Sequence, residues 1–182
     1  MPQTATQTNF RRYKNVEAKK AKGATYTPDN LALFVAEKMV EQASVEGRES
    51  ISILDPAIGD GVLVLALLKK LTKKTNATIT VYGFDTDPLA LTVSAQQIHA
   101  NYPKVELQLK NENFLDYILK KNDYEPLPLF ARAQNSKFDL IIANPPYVRT
   151  QIMGAERARQ LAHTFGLSGR VDLYHAFLLG IT

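Results

Sequence analysis

What the 182-residue sequence lacks excludes several classes of protein. It has no cysteine, which rules out a disulfide framework and thiolate metal ligands and fits a reducing cytosol. The longest unbroken apolar run, residues 62–68, is far shorter than a membrane-spanning helix requires. No apolar signal-peptide core is visible near the first residue, so we expect no membrane partner and a cytoplasmic location.

The sequence also offers little for metal or nucleophile chemistry. The three histidines, His99, His163 and His175, lack the spacing of metal ligands, so no metal site is predicted. No serine or threonine occupies the Gly-flanked turn that exposes a nucleophile. We therefore expect a bound cofactor to supply the reactive group.

Charge is distributed unevenly along the chain. The composition, 45% hydrophobic and 22% charged, fits one globular α/β domain with a substantial core. Lysine and arginine dominate residues 11–22, where Glu17 is the only acid, and the net charge is +4. We expect a basic N-terminal segment over residues 1–22, followed by one domain over residues 23–182. The basic segment permits a nucleic-acid partner, and a solvated tail is the alternative.

Apolar periodicity predicts helices that alternate with strands, as in a mostly parallel sheet. Strands are expected at residues 51–55, 78–84, 105–109 and 138–143. Helices are expected at residues 28–42, 62–71, 88–100, 156–163 and 171–179, with a loose connection at 117–137. Thr27 is predicted to cap the first helix, with Pro28 at its first position.

The fourth predicted strand ends abruptly at Asn144-Pro145-Pro146-Tyr147. Proline has no N–H and a fixed φ, so the loop is stiff, and it follows a buried strand where open α/β sheets bind ligands. The Asn144 side-chain oxygen and the Pro145 carbonyl can accept both hydrogens of a planar amine. Tyr147 can stack on the ring that carries this amine. A rigid turn with a surface tyrosine is the alternative.

Two features are typical of a site for an adenosine-type cofactor. Gly59 and Gly61, in the turn after the first strand, allow close approach of the backbone to a ligand. Asp85, at the tip of the second strand, can accept both ribose hydroxyls. The alternatives are a plain tight turn and a helix N-cap, although Asp87 is better placed to be that cap.

Asn113-Phe114, after the third strand, could hold an adenine ring between an amide and an aromatic face. The alternative is a core phenylalanine beside a turn asparagine. The sequence leaves both interpretations open.

These motifs, in this order, resemble one family. The series Thr-Tyr-Thr-Pro, Asp-Pro-Ala-x-Gly-x-Gly, Gly-Phe-Asp-x-Asp-Pro, Asn-Phe-Leu and Asn-Pro-Pro-Tyr is similar to the N6-adenine DNA methyltransferases of bacterial restriction–modification systems. The resemblance runs from about residue 23 to 179 and includes the Asp-Leu-Tyr-His-Ala-Phe helix. It implies a Rossmann-like, mostly parallel sheet, and methyl transfer from S-adenosyl-L-methionine to a flipped adenine of double-stranded DNA, an activity associated with the bacterial nucleoid.

The resemblance also implies roles for particular residues. The residues implied to bind the cofactor are Thr27 at its methionine end, Asp55, Pro56, Ala57, Gly59 and Gly61 along its pocket, Asp85 and Thr86 at its ribose, and Asn113 and Phe114 at its adenine. The residues implied to grip the target adenine are Asn144, Pro145, Pro146 and Tyr147, with Phe177 as a second aromatic wall.

Two departures from the family pattern stand out. Asn113 replaces the usual aspartate, so only its amide oxygen could accept from the amino group of the cofactor. The last strands of the sheet and the target-recognition domain are missing, so we expect a fragment that needs its C-terminal part, or a partner such as a restriction subunit.

Other functions remain open from the sequence. The planar amine could belong to an RNA base, to cytosine N4 or to a glutamine amide. The chain could also be a non-catalytic cofactor-binding fragment. A nicotinamide dehydrogenase is disfavoured by the missing third glycine and the unexplained Asn-Pro-Pro-Tyr loop.

Overall fold

The computed structural model describes residues 27–124, 138–145, 155–164 and 177–178. The predictions for residues 1–26, for Pro146 and Tyr147, and for most of the last helix lie outside this range. The described elements, in chain order, are α1 (Asp29–Gln42), β1 (Ser50–Asp55), α2 (Val62–Leu71), β2 (Thr78–Phe84), α3 (Pro88–Asn101), β3 (Glu106–Lys110), α4 (Phe114–Tyr124), β4 (Leu140–Ile141) and α5 (Ala155–Thr164).

The described strands form one parallel sheet with the order β3-β2-β1-β4. The register places Ile53 of β1 between Val81 of β2 and Leu140 of β4. The chain moves outward from β1 to β3 and then returns to the other side of β1. The strand order therefore reverses between β1 and β4, and ligands of open α/β sheets bind at the carboxyl ends of strands beside such a switch point.

The core lies where apolar helices cover the central strands. Strand β1 buries Ile51, Ile53 and Leu54, as expected of a parallel strand covered on both faces. Helix α2 is apolar over most of its surface, and Leu67 and Leu68 have no exposed area. Burial of each such leucine contributes roughly 1.5–3 kcal/mol. The loop between β1 and α2, residues 56–61 (the glycine loop), is thus held between two largely buried elements.

Most element predictions are confirmed. Strand β2 has the predicted bounds, and α1, α2, α3 and α5 agree within one or two residues at each end. The predicted capping of α1 is wrong by one position, because Pro28 occupies the N-cap position rather than the first helical position, and Thr27 lies before the cap. The predicted loose connection is also wrong at its start, because α4 continues to Tyr124. Its cap explains this, since Asn113 accepts from the first-turn N–H groups of α4.

The predicted fourth strand is confirmed in position but is shorter than expected. Only Leu140 and Ile141 are strand residues. On either side, the Asp139 N–H donates to the Ser52 carbonyl and the Ile142 N–H to the Leu54 carbonyl, each at 3.0 Å. Pairing with β1 therefore continues almost to the Asn-Pro loop. None of the helices in the described ranges is long and apolar enough to cross a membrane.

Candidate active site

The glycine loop after β1 depends on left-handed backbone at two positions. Gly59 has φ +54° and Gly61 has φ +82°, a region that side chains other than glycine rarely adopt. Gly61 is also the N-cap of α2, and a Cβ there would lie 3.0 Å from Cβ of Ser94 on α3. The glycines therefore bring the backbone of the loop and the start of α2 into one tight turn at the carboxyl edge of the sheet.

Asp55, at the end of β1, is a buried carboxyl group with one unused oxygen. Its Oδ1 accepts from the Ala57 N–H at 3.0 Å. Its Oδ2 is buried and has no hydrogen-bond partner within the described part of the chain. Burial raises the pKa of Asp55 to about 7, against the lowering effect of the Ala57 N–H, and the charge of nearby Asp85 adds to the rise. A cationic ligand at Oδ2 would satisfy this oxygen.

Asp85 follows β2 and faces the same loop. Its Oδ2 accepts from the Gly59 N–H at 2.9 Å, and its Oδ1 accepts from the Asp87 N–H at 2.8 Å. Asp87 caps α3 by accepting from the Leu89 N–H, so the prediction that Asp87 takes this role is confirmed. Each oxygen of Asp85 retains a lone pair for a hydroxyl donor. Thr86, between the two acids, is exposed.

Gly83, in β2, packs closely against Ile58 of the glycine loop, a role that the sequence analysis did not predict. A Cβ at Gly83 would lie 2.7 Å from the Ile58 side chain and 2.7 Å from that of Leu109. The Ile58 N–H also donates to the Phe84 carbonyl at 2.9 Å, which ties the glycine loop to the end of β2. A glycine inside an apolar strand is the signal that could have revealed this close approach.

Asn113 and Phe114 are more engaged with the protein than the sequence suggested. The Asn113 amide oxygen accepts from the N–H groups of Leu115 at 2.9 Å and Asp116 at 3.3 Å. Both lone pairs of this oxygen are used, so the amide NH2 is the group left for a ligand. Phe114 is only 1% exposed.

Phe177 lies against Phe114. The two rings stack with centroids 5.9 Å apart, and Phe84 meets Phe114 edge-on at 5.2 Å. Phe177 is 3% exposed and belongs to an apolar cluster with Leu54, Leu115 and Leu161. The structure thus places Phe177, predicted to form a wall for the target base, in contact with Phe114, predicted to hold the adenine of the cofactor.

Asn144 follows the carboxyl end of β4, the strand that pairs with β1 at the switch point of the sheet. Its Nδ2 donates to the Thr27 hydroxyl at 2.9 Å, which joins residues 117 positions apart in the chain. Pro145 is buried. Two sequence-predicted residues, Thr27 and Asn144, therefore meet directly, whereas Pro146 and Tyr147 lie outside the described residues.

Solved structures with a similar fold include a methyltransferase and a subunit of a restriction enzyme. A protein described as a class I S-adenosylmethionine-dependent methyltransferase from Listeria monocytogenes matches with a TM-score of 0.58 at 20% identity, covering 87% of this chain and 42% of its own. A modification subunit ascribed to a type I restriction enzyme of Vibrio vulnificus YJ016 matches with a TM-score of 0.57 at 18% identity, covering 91% of this chain and 32% of its own. The chain has the Rossmann-like fold of S-adenosylmethionine-dependent methyltransferases.

The sequence match narrows this class to a family. The N-6 DNA Methylase family matches residues 9–175, so the chain belongs to that family. The type II methyltransferase M.BanIII of Aneurinibacillus aneurinilyticus is 39% identical over 170 residues, which cover 90% of this chain and 28% of that protein. The chain thus spans less than a third of the length of this relative. The predicted resemblance to N6-adenine DNA methyltransferases is confirmed at the level of the family.

S-adenosylmethionine is the cofactor that this fold and family imply, and the residues present fit it. The unused Oδ2 of Asp55 suits a cationic group. The left-handed backbone at Gly59 and Gly61 suits a ligand that packs against main chain. The free lone pairs of Asp85 suit a diol. Among the described residues, no group of three His, Asp or Glu side chains could hold a metal ion.

Proposed function

We propose that this chain is the cofactor-binding and catalytic part of an enzyme that methylates the N6 amino group of adenine in double-stranded DNA, within a restriction–modification system. One observation carries the proposal: β4, which leads into Asn144, is the sheet neighbour of β1, which leads into the glycine loop. An acceptor for a planar amine and a candidate cofactor pocket therefore share one edge. Membership of the N-6 DNA Methylase family supports the choice of adenine.

The cofactor side of the site is proposed to use the residues at the ends of β1, β2 and β3. Asp55 would bind the cationic methionine end through Oδ2, which is buried without a described partner. Asp85 would accept from the ribose hydroxyls while it keeps its bond to the Gly59 N–H. Asn113 would meet the adenine through its amide NH2, because its oxygen is used in capping α4. The cofactor supplies an activated methyl group on a sulfonium centre.

The target side is proposed to act by positioning and by localising an electron pair. The Asn144 oxygen and the Pro145 carbonyl would accept the two N6 hydrogens, which draws the lone pair out of the purine ring and makes N6 nucleophilic. The bound cofactor would supply the methyl group that N6 accepts, and the proton that N6 then gives up would pass to solvent water. Tyr147 would stack on the flipped base and offset part of the few kcal/mol that flipping costs.

Recognition of a DNA sequence is proposed to involve more than the described residues. The match covers 28% of the length of the type II relative. We therefore expect a target-recognition part or a restriction subunit to complete the active assembly. The chain would then provide the chemistry, and the additional part would select the adenine that is flipped.

The test is transfer of a labelled methyl group from S-adenosylmethionine, followed by digestion and separation of the nucleosides. Duplex DNA, transfer RNA and a glutamine-containing protein are offered separately, to this chain and to the complete gene product. The expected product is N6-methyladenine in DNA, absent with the Asn144→Ala variant. Label in N4-methylcytosine, in RNA or in protein would show that the substrate is not adenine in DNA. Cofactor binding without transfer by either polypeptide would show that the chain is a binding module.

A further inference from the structure

The hydrogen bond between Asn144 and Thr27 links two distant parts of the chain. Asn144 Nδ2 donates to Thr27 Oγ1 at 2.9 Å, which joins the carboxyl end of β4 to the residue before the N-cap of α1. We propose that Thr27 is a positioning residue, which holds the Asn144 amide so that its oxygen faces the target amine. This inference rests on the proposed function, because it explains how the amine acceptor is oriented.

An asparagine needs such a partner because the two ends of its amide have nearly the same shape. The oxygen accepts two hydrogen bonds, whereas the NH2 group only donates. If the amide were rotated by half a turn, its NH2 would face the NH2 of the base, and two donors would oppose each other. Nδ2 is bonded to Thr27, and no described residue donates to Oδ1. The observed orientation therefore leaves the acceptor for a ligand.

Both residues of this pair are held by stiff backbone. Each precedes a proline, Pro28 or Pro145, and this restricts both to extended conformations. Thr27 is fixed relative to the core by α1, whose Ala32 and Ala36 have no exposed area.

Asn144 is fixed from the other side of the pair. Two residues earlier, the Ile142 N–H donates to the Leu54 carbonyl of β1 at 3.0 Å. The hydrogen bond to Thr27 therefore joins two anchored supports rather than two mobile loops. A bond between rigid supports can hold an orientation at little entropic cost.

A positioning role differs measurably from the contact with the cofactor that the sequence motif implies for Thr27. Loss of a cofactor contact raises the dissociation constant of S-adenosylmethionine. Loss of a contact that orients Asn144 lowers the rate of transfer from the complete ternary complex and leaves that constant unchanged. The hydroxyl can still donate its own hydrogen elsewhere, so the two roles are compatible and the experiment measures each.

The experiment compares Thr27→Val, which has the same shape without the hydroxyl, with Thr27→Ser, which keeps it. Single-turnover methyl transfer is measured with the complete gene product at saturating cofactor and duplex DNA. We expect Thr27→Val to lose about tenfold in rate, the effect of one hydrogen bond. The cofactor dissociation constant should stay within about twofold of the unmodified protein, and Thr27→Ser should recover most of the rate.

Thr92→Val is the matched control, because the exposed Thr92 hydroxyl bonds only the Pro88 carbonyl of its own helix. It should leave the rate unchanged, and the melting temperatures of all variants should show that each is folded. An unchanged rate in Thr27→Val would overturn the inference, as would a rise in the cofactor dissociation constant without loss of saturated rate. Failure of the proposed function is distinguishable, since the unmodified protein would then transfer no methyl group to duplex DNA, or Asn144→Ala would transfer it at the full rate.

Discussion

The two sides of the candidate site are built in different ways. On the cofactor side, each acid is bonded to nearby backbone: Asp55 to the N–H of Ala57, and Asp85 to the N–H of Gly59 and Asp87. On the amine side, the described side-chain contact of Asn144 comes from a residue 117 positions away. The cofactor pocket is thus shaped mainly by adjacent loops, whereas the amine acceptor depends on how α1 packs relative to β4. Binding and transfer should therefore respond to different substitutions.

The largest effects are expected from a pair of alanine variants, one on each side of the candidate site. Asn144→Ala should lower methyl transfer by about 10²–10³-fold, because it removes an acceptor aimed at the reacting nitrogen. Its cofactor affinity should be nearly unchanged. Asp85→Ala should weaken cofactor binding by about tenfold or more, since a charged acceptor of hydroxyl donors is lost together with the bond to the Gly59 N–H. Calorimetry and single-turnover transfer measure the two effects.

Asp87→Ala is the control for Asp85→Ala, because it removes a neighbouring carboxylate that caps α3. It should cost about 1 kcal/mol of stability without a change in cofactor affinity. If Asp87→Ala weakened cofactor binding as much as Asp85→Ala, the assigned role of Asp85 would be wrong. Full turnover by Asn144→Ala would likewise remove the role of the Asn-Pro loop.

The dependence of cofactor affinity on pH should reveal the ionisation of the buried Asp55. Burial raises the pKa of Asp55 to about 7. A cationic group bound at Oδ2 favours the ionised carboxylate, so cofactor affinity should fall as the pH drops below about 7, by up to about tenfold per pH unit. Calorimetry in buffers of different ionisation enthalpy should detect release of a proton on binding at pH 6. The Asp55→Asn variant should lose this pH dependence.

The raised pKa of Asp55 also makes the stability of the protein depend on pH between about 4 and about 7. The pKa of Asp55 is about 7 in the folded protein and near 3.8 in the unfolded chain, so the folded state holds the extra proton between these values. The free energy of unfolding should therefore fall as the pH rises from about 4 to about 7, by up to about 4 kcal/mol from this group, and then level off. Urea unfolding measures the slope, which should be reduced in Asp55→Asn. If Asp55→Asn had the same slope as the unmodified protein, Asp55 would be ionised in the folded state.

A further test concerns the support of the glycine loop. Gly83→Ala should destabilise the protein by about 1–3 kcal/mol, because the added Cβ would lie 2.7 Å from Ile58 and Leu109. It should also weaken cofactor binding, since Ile58 lies in the loop itself. Gly47→Ala is the control, with φ +73° and no atom within 4 Å of the added Cβ. It should cost about 1–2 kcal/mol through its backbone alone and leave the cofactor affinity unchanged.

The cofactor side could be predicted from the sequence in most of its parts because its chemistry is local. Gly59, Gly61 and Asp85 belong to short motifs at strand ends, and parallel strands bring those ends to one edge. The role of Asp87 as a cap also follows from its position before Pro88. A local pattern specifies a local geometry, so no knowledge of packing was needed for these residues.

Most of the missed features depend on packing between distant segments. The bond from Asn144 to Thr27 requires the relative placement of α1 and β4, and neither motif contains that information. The fully buried Phe114 and its stack on Phe177 depend on how a later helix docks. Helix α4 was missed for a simpler reason. The sequence leaves Asn113 open between a cofactor ligand and a turn residue and does not predict its role as a helix cap.

The smallest expected effect tests this double role of Asn113. Asn113→Asp should keep α4 capped, because aspartate is as good an N-cap as asparagine. One carboxylate oxygen could cap the helix while the other accepts from the amino group of the cofactor adenine. This charge-assisted bond would replace the weaker one donated by the Asn113 NH2, so affinity should rise by about threefold to tenfold. The gain should vanish for a cofactor analogue without the 6-amino group, which separates a hydrogen bond from a general effect of charge. Equal gains for both ligands, or no gain for either, would mean that Asn113 serves the helix and not the cofactor.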